Sequence, residues 1–359
     1  MTASGLVDDA FRHLAAQLVA TLVRRVGLEH HEAVEDAVQG AFVAALEHWP
    51  HGVPERPSAW LYRVAWNKLL NTFEQGSTRR RLLETRVEPA ATDHEPPAVL
   101  ANELADDLLA MMFVCCHPRL DEPSQLALSL RSLCGLSTAE TAQLLLTSEG
   151  HVLKRLSRAR ARLREADIRL EAPSSTALAT RLPTVHRVLY LLFTEGHLSS
   201  SAALCDQAIR LATLLHAHPV GQAPTTTALI ALMTLHRARL GARRGPDGGL
   251  LLLEEQDRSA VDADLAATGL SWLARSARGD ELCRYHIEAA IVAEHCLAPD
   301  LPSTRWERIA SSYALLERLA PSPLHRLNRA VALAQVEGPD AGLALLHDLP
   351  TAWVEHSWA

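Results

Sequence analysis

Between Ser137 and Glu165 the chain reads STAETAQLLLTSEGHVLKRLSRARARLRE. Its second half gathers six cations, Lys154, Arg155, Arg158, Arg160, Arg162 and Arg164, against only Glu149 and Glu165. Cations at this density can neutralise DNA phosphates. Their spacing requires a helix to present them. Val152, Leu156, Ala159 and Leu163 recur at steps of four, three and four, a buried stripe that most of the cations avoid. Ser137 and Glu140 stand at capping-box spacing and predict a preceding helix running to about Leu146. Thr147 and Ser148 break it, and Ser148 can cap the basic helix. Two short helices, a tight turn and a cationic second helix make a helix-turn-helix pattern, whose second helix enters the major groove. The bland alternative is a solvated basic face.

A second set of polar groups lies nearer the N-terminus. Pro50 to Ser58 is a loop with three prolines and a glycine, and Ser58 can cap a helix from Ala59. Trp60, Leu61, Val64, Ala65 and Leu69 would face inward; Arg63, Asn67, Lys68 and Asn71 face elsewhere, and Arg79, Arg80 and Arg81 follow. A loop, an aromatic and a polar helix with a basic tail suit a single strand held by stacking and phosphate contact, although Trp60 also fits a core. Ahead of this, Val34, Ala37, Val38, Ala41, Phe42, Ala45, Leu46 and Trp49 form one apolar stripe, with Glu35, Asp36 and Gln39 opposite. A first helical pattern precedes it, with Phe11, Leu14, Ala15, Leu18 and Leu22 on one side.

The elements that must position these groups are helical. Of 359 residues, 48% are hydrophobic but only 4% aromatic, Ala and Leu dominate, and alternating β-branched runs are nearly absent. The expected class is all-α, with two or three domains. A net charge of -7 excludes a general nucleic-acid coat, so any DNA contact is local. The six cysteines include no C-x-x-C pair, and His117 beside Cys115 and Cys116 cannot wrap a tetrahedral site alone, so neither metal nor cofactor is expected. No uncharged run spans a bilayer and no signal pattern opens the chain, which predicts a cytoplasmic protein with no membrane partner. From Leu83 to about Val99 the chain is acidic and proline-rich, a linker. The expected modules are residues 1–82, a linker at 83–100, residues 101–170, and about eight helices over 181–350.

Three motifs in order give a resemblance. EDAVQGAFVAALEHWP resembles the polymerase-clamp helix of extracytoplasmic-function sigma factors of the sigma-70 family. PSAWLYRVAWNKLLNTFEQ resembles their helix that reads and melts the minus-ten element, and the helix-turn-helix resembles their minus-thirty-five reader. The remainder is similar to a subgroup with a long helical extension. Asp247-Gly248-Gly249-Leu250 matches its glycine signature, and the small–large alternation from Asn328 to Leu346 suits tetratricopeptide-like stacking. The resemblance implies core RNA polymerase and promoter DNA as partners. It implies that Glu35, Asp36 and Gln39 engage the polymerase. Arg56, Ser58, Trp60, Arg63, Asn67, Lys68 and Asn71 would engage the minus-ten region. Ser148, His151, Lys154, Arg155, Arg158 and Arg162 would engage the minus-thirty-five groove and its phosphates. The extension would regulate; whether it holds a ligand or a protein stays open.

Some positions depart from the family. Gly40 and Asn71 stand where an acid is usual, Trp66 where an arginine is usual, and Phe73-Glu74-Gln75 where basic residues are expected. The chain ends in a short tail with Trp353 and Trp358. These departures leave an alternative, a sigma-like scaffold turned to binding or transforming a small molecule in a specialised pathway, with a site between the sigma-like and extension domains. Its candidate groups are Glu195, His197, Asp247, Glu254, Asp257, Arg258 and His286, capable of proton transfer in an apolar interior or of simple salt bridges. No nucleophile elbow, P-loop or dinucleotide fingerprint supports catalysis.

Overall fold

Apolar residues at every third or fourth position leave helix as the natural outcome, and the computed structural model is built of helices. It describes residues 3–74, 97–166, 168, 175–245, 249–279, 281–347 and 349. Among these are fifteen α-helices, no strand, and an isolated antiparallel bridge between Arg244 and Leu250. Of the linker expected at 83–100, residues 83–96 lie outside the described residues and 97–100 are already helical; Arg79 to Arg81, Asp247, Gly248 and the tryptophan-bearing tail also lie outside the described residues. The chain divides into two compact units, Met1–Leu192 and Phe193–Ala359.

The first unit holds α1 (Ala3–Val26), α2 (His31–His48), α3 (Pro57–Glu74), α4 (Pro97–Cys115), α5 (Glu122–Cys134), α6 (Thr138–Leu144) and α7 (Glu149–Glu165). Leu18 and Leu22 of α1, Val34, Val38 and Ala41 of α2 and Leu61, Ala65 and Leu69 of α3 are buried together, the stripes their spacing predicts. Leu46 is the exception on α2: it is 46% exposed. Helix α3 begins at Pro57, two residues before the expected start, because a proline's fixed φ and missing N–H suit a first helical position. Ser58 therefore lies in the first turn of α3. Helix α4 is buried on every side from Asp107 to its end, between α1 and α5. Cys115 and Cys116 are core residues there, and burial pushes both thiols up, Cys116 to about 12.

The second unit takes the end of α8 (Ser175–Leu198), then α9 (Ala202–Ala217), α10 (Pro224–Ala238), α11 (Ala263–Ser276), α12 (Arg284–Leu297), α13 (Trp306–Leu319), α14 (Pro323–Glu337) and α15 (Pro339–Leu346). Helix α10 is its spine: every residue from Thr226 to Leu235 is buried, under α9, α11 and α12. From α12 onward each helix packs on its successor, the contact pattern of stacked helical hairpins. Gly269 lets α11 approach α10 closely; a Cβ there would lie 2.7 Å from Leu235 Cγ.

Candidate nucleic-acid interface

The helix-turn-helix is built from its caps outward. Gly135, in the left-handed region at φ 67°, ends α5. Ser137 Oγ accepts from the Glu140 amide at 3.1 Å, and Glu140 Oε2 accepts from the Ser137 amide at 2.7 Å, so the capping box opens α6. Helix α6 stops at Leu144, two residues short of the expected end, because Leu146 adopts φ 48°. The Thr147 amide then donates to Ala142 O and closes the turn. Ser148 Oγ accepts from the His151 amide, capping α7. Val152, Leu156, Ala159 and Leu163 are all buried, which fixes the helix by its predicted face and turns the other outward.

That outward face carries Ser148, His151, Lys154, Arg158 and Arg162 in solvent, with Arg155 half-buried among them. Leu146, 94% exposed, and Leu153 add apolar groups at the same end. The amide dipoles of the first turn of α7 give this end a partial positive charge that suits a phosphate. Arg158 Nε donates to Lys154 O, and Arg162 lies 4.0 Å from Asp121; both remain exposed. The described face can therefore present cations, a hydroxyl and an imidazole to a duplex.

Helix α3 presents a second polar face. Arg63, Asn67 and Asn71 recur at intervals of four and are exposed, as are Lys68 and, in the preceding loop, Arg56. Ser58 and Trp60 are half-buried, and the Trp60 ring stands edge-on to Trp49 at 5.9 Å. The departures at Trp66 and Phe73 fall on the other face. Trp66 is buried and stacks parallel to Tyr62, and Phe73 is buried edge-on to His30. Gly40 leaves room for the Lys68 stem, whose Cδ would be 3.0 Å from a Cβ at that position.

Helix α2 divides its acidic residues. Asp36 and Gln39 are exposed, and Val43 and Leu46 continue their stripe as exposed apolar groups. Glu35 is only 6% exposed. Its Oε2 accepts from Arg131 Nη2 of α5 at 2.7 Å and lies 3.6 Å from Arg160 Nη2 of α7. Arg160 also donates to Glu32 and to His31 Nδ1. With Nδ1 accepting, the His31 proton sits on Nε2 and is donated to Ser132 Oγ at 2.8 Å. Burial, then Arg160 and Arg131, lower the His31 pKa to about 3. Arg160, one of the six α7 cations, is thus turned inward and ties α7 to α2.

In the second unit the described alternative candidates take up different local contacts. Glu254 and Asp257 are exposed, and Asp257 caps a short 3-10 turn through Ser259. Glu195 is half-buried, with its carboxyl pushed up by burial. His197 accepts from Arg243, and Arg258 donates to His295 O. His286 Nε2 donates to Ser276 O, and its Nδ1 faces Cys283 Sγ at 3.1 Å. An open cavity of about 540 Å³ is walled by Leu270, Leu273 and Leu282, and of the described candidates only His286 reaches it. Among the described residues no three His, Cys, Asp or Glu side chains are grouped to hold a metal ion, and no helix is long and apolar enough to cross a membrane.

Comparison with known proteins follows the same division. Residues 11–79 match the model described as Sigma-70 region 2, residues 110–163 the model Sigma-70, region 4, and residues 181–277 a family of unknown function, DUF6596. An uncharacterized protein of Rhizobium meliloti (strain 1021) is 36% identical over 362 residues, covering 97% of this chain and 84% of that protein. The RNA polymerase sigma factor CnrH of Cupriavidus metallidurans (strain ATCC 43123 / DSM 2839 / NBRC 102507 / CH34) is 29% identical over 180 residues, 44% of this chain and 93% of that factor. No solved structure matches.

Proposed function

We propose a working arrangement for a chain that belongs to the sigma-70 family: it is an RNA polymerase sigma factor of the extracytoplasmic-function type, with a DUF6596 domain as its extension. Core RNA polymerase and promoter DNA are its partners, and the cytoplasm is where it meets them. The outward face of α7 reads the minus-thirty-five element, with Ser148 and His151 at the helix start and Lys154, Arg155, Arg158 and Arg162 on bases and phosphates. Arg56, Ser58, Trp60, Arg63, Asn67, Lys68 and Asn71 hold the minus-ten strand. Asp36 and Gln39 dock on the polymerase, and exposed Val43 and Leu46 extend that surface. The observation that carries this reading is the capped, basic α7, anchored by a fully buried stripe and exposed on its opposite face.

Glu35 takes a different part. Elements some 25 base pairs apart lie about 85 Å from one another along duplex DNA at ~3.4 Å per pair. A folded unit of roughly 190 residues is only about 40 Å across. The contact of Glu35 with Arg131 and Arg160 therefore belongs to a closed form, and α2 must part from α5 and α7 when both elements are read together. We infer that the extension acts as a built-in regulator of that step. Run-off transcription with added core enzyme tests the whole: the chain should direct initiation from its own promoter, and core enzyme giving no specific transcript with it would defeat the reading. Removal of the residues after about 180 should change the yield of transcript if the extension regulates.

A further inference from the structure

Several arginines of the second unit are matched with carboxylates. Arg237 is paired with Asp206, Arg284 with Glu288, Arg305 with Glu294 and Arg329 with Glu317. Three neighbours that are buried or half-buried are matched differently. Arg239 is 8% exposed, and its Nη2 donates at 2.9 Å to the neutral amide oxygen of Gln256. Arg243 donates to His197, and Arg258 donates to His295 O and reaches Thr304 Oγ1 at 3.5 Å. Among the described residues none of the three forms an ion pair with a carboxylate. Asp300 acts on Arg258 only from a distance and is itself engaged by the Ser303 amide.

The other two guanidiniums also repel Arg239. Arg243 and Arg258 both act on Arg239, whose pKa falls to about 10, chiefly by burial. His197, His236 and His295 surround the same group, and burial lowers each of them, so they stay neutral and add no negative charge. Beside these arginines, Arg258 Nε, His197 Nδ1 and His295 Nδ1 are buried without a hydrogen-bond partner. Buried cations are normally paired, and buried polar atoms normally satisfied.

We propose that Arg239, Arg243 and Arg258 form a binding site in the extension for a small, multiply charged oxyanion, a phosphate or a compact phosphate ester. Such an anion supplies the missing counter-charge, and planar guanidinium forks match its oxygens. Arg243 and Arg258 are half-exposed and Arg239 is nearly covered. That gradation suits a small ligand entering past the first two, and does not suit the backbone of a nucleic acid, which stays at the surface. Neutral histidines with unused ring nitrogens can add hydrogen bonds. The proposal does not depend on the promoter-reading role, since binding is measured on the free chain.

The test is thermal unfolding of the full chain, titrated with inorganic phosphate against sodium chloride at matched ionic strength. Phosphate should raise Tm saturably, on the order of 5 °C at a hundredfold excess over Kd. R243Q and R258Q, both at half-exposed positions, should each weaken phosphate at least tenfold, and R239Q should abolish the saturable increment. The increment is read rather than Tm itself, because a merely structural arginine would lower Tm equally in both salts. Glucose 6-phosphate in place of phosphate separates the two sources: tighter binding assigns an ester, weaker binding the free ion. A non-saturating rise, a rise that persists in R239Q and R258Q, or saturation by heparin alone would overturn the site.

Discussion

Replacing Glu35 with alanine separates two roles that its position on α2 could serve. Its carboxylate holds Arg131 at 2.7 Å and faces Arg160, with the two guanidinium side chains only 13% and 15% exposed. Removing the acid leaves Arg131 buried without its counter-charge and Arg160 with only the exposed Glu32, which costs about 3–5 kcal/mol. Glu32 touches the same Arg160 but is 76% exposed, so its removal costs at most about 1 kcal/mol. Hydrogen exchange on peptides spanning α2 and α5 reads this directly. At ~1.4 kcal/mol per tenfold, E35A should lose roughly 10²–10⁴-fold protection and E32A less than about tenfold. D36K on the exposed face should leave protection unchanged and weaken binding to core polymerase. If E35A keeps its protection and weakens core binding as D36K does, the carboxylate faces the polymerase, and the closed contact is not the resting form.

Three further outcomes follow from the geometry. Changing Arg155 and Arg158 together to alanine should weaken promoter binding about equally across sequences and reduce the slope of log K against log salt by about two, measured by fluorescence anisotropy. Stability should fall between pH 6.5 and 5. His31 and His295, lowered to about 3, and His186, lowered to about 4, stay neutral in the fold while the unfolded chain takes up their protons. Each therefore stabilises fully above about 6.5 and contributes about 2 kcal/mol less at pH 5, visible as a Tm that drops with acid and drops less in H31Q. Finally, G269A should cost about 1–3 kcal/mol in urea unfolding, because its methyl meets Leu235 at the α10–α11 contact.

Much of the fold was legible because its signals are local. The Ser137–Glu140 box, the Ser148 cap and the Val152 stripe each involve residues within a few turns, and each stands in the structure as its spacing implies. The misreadings are local too. Leu46 continues the apolar stripe of α2 by count, but stripe membership does not guarantee a partner helix opposite, and the side chain is in solvent. Ser58 looks like a cap, yet the helix already begins at Pro57, so Ser58 lies inside its first turn. Trp66 and Phe73 read as departures from a binding face because a one-dimensional match cannot say which side of α3 they occupy; Tyr62 and His30 decide that.

What no pattern could reveal is how charges are shared between distant segments. Glu35 stands beside Asp36 in the sequence, but its partner Arg131 is 96 residues away. The same limit applies to the arginines of the extension. Arg237 and Arg239 are two apart at the end of α10, so they point to different sides of the helix. One finds Asp206, the other only an amide oxygen. A net charge of -7 says that carboxylates are plentiful, so a buried guanidinium left without one is not short of supply; among the described residues none is paired with Arg239. A site for an external anion requires this, since a resident carboxylate would compete with the ligand. It also gives a contrast within one helix. R237Q removes an arginine that is already paired and should keep the phosphate-dependent rise in Tm, while R239Q should lose it. Equal loss in both would mean that the response comes from the stability of α10 and not from an anion held by Arg239.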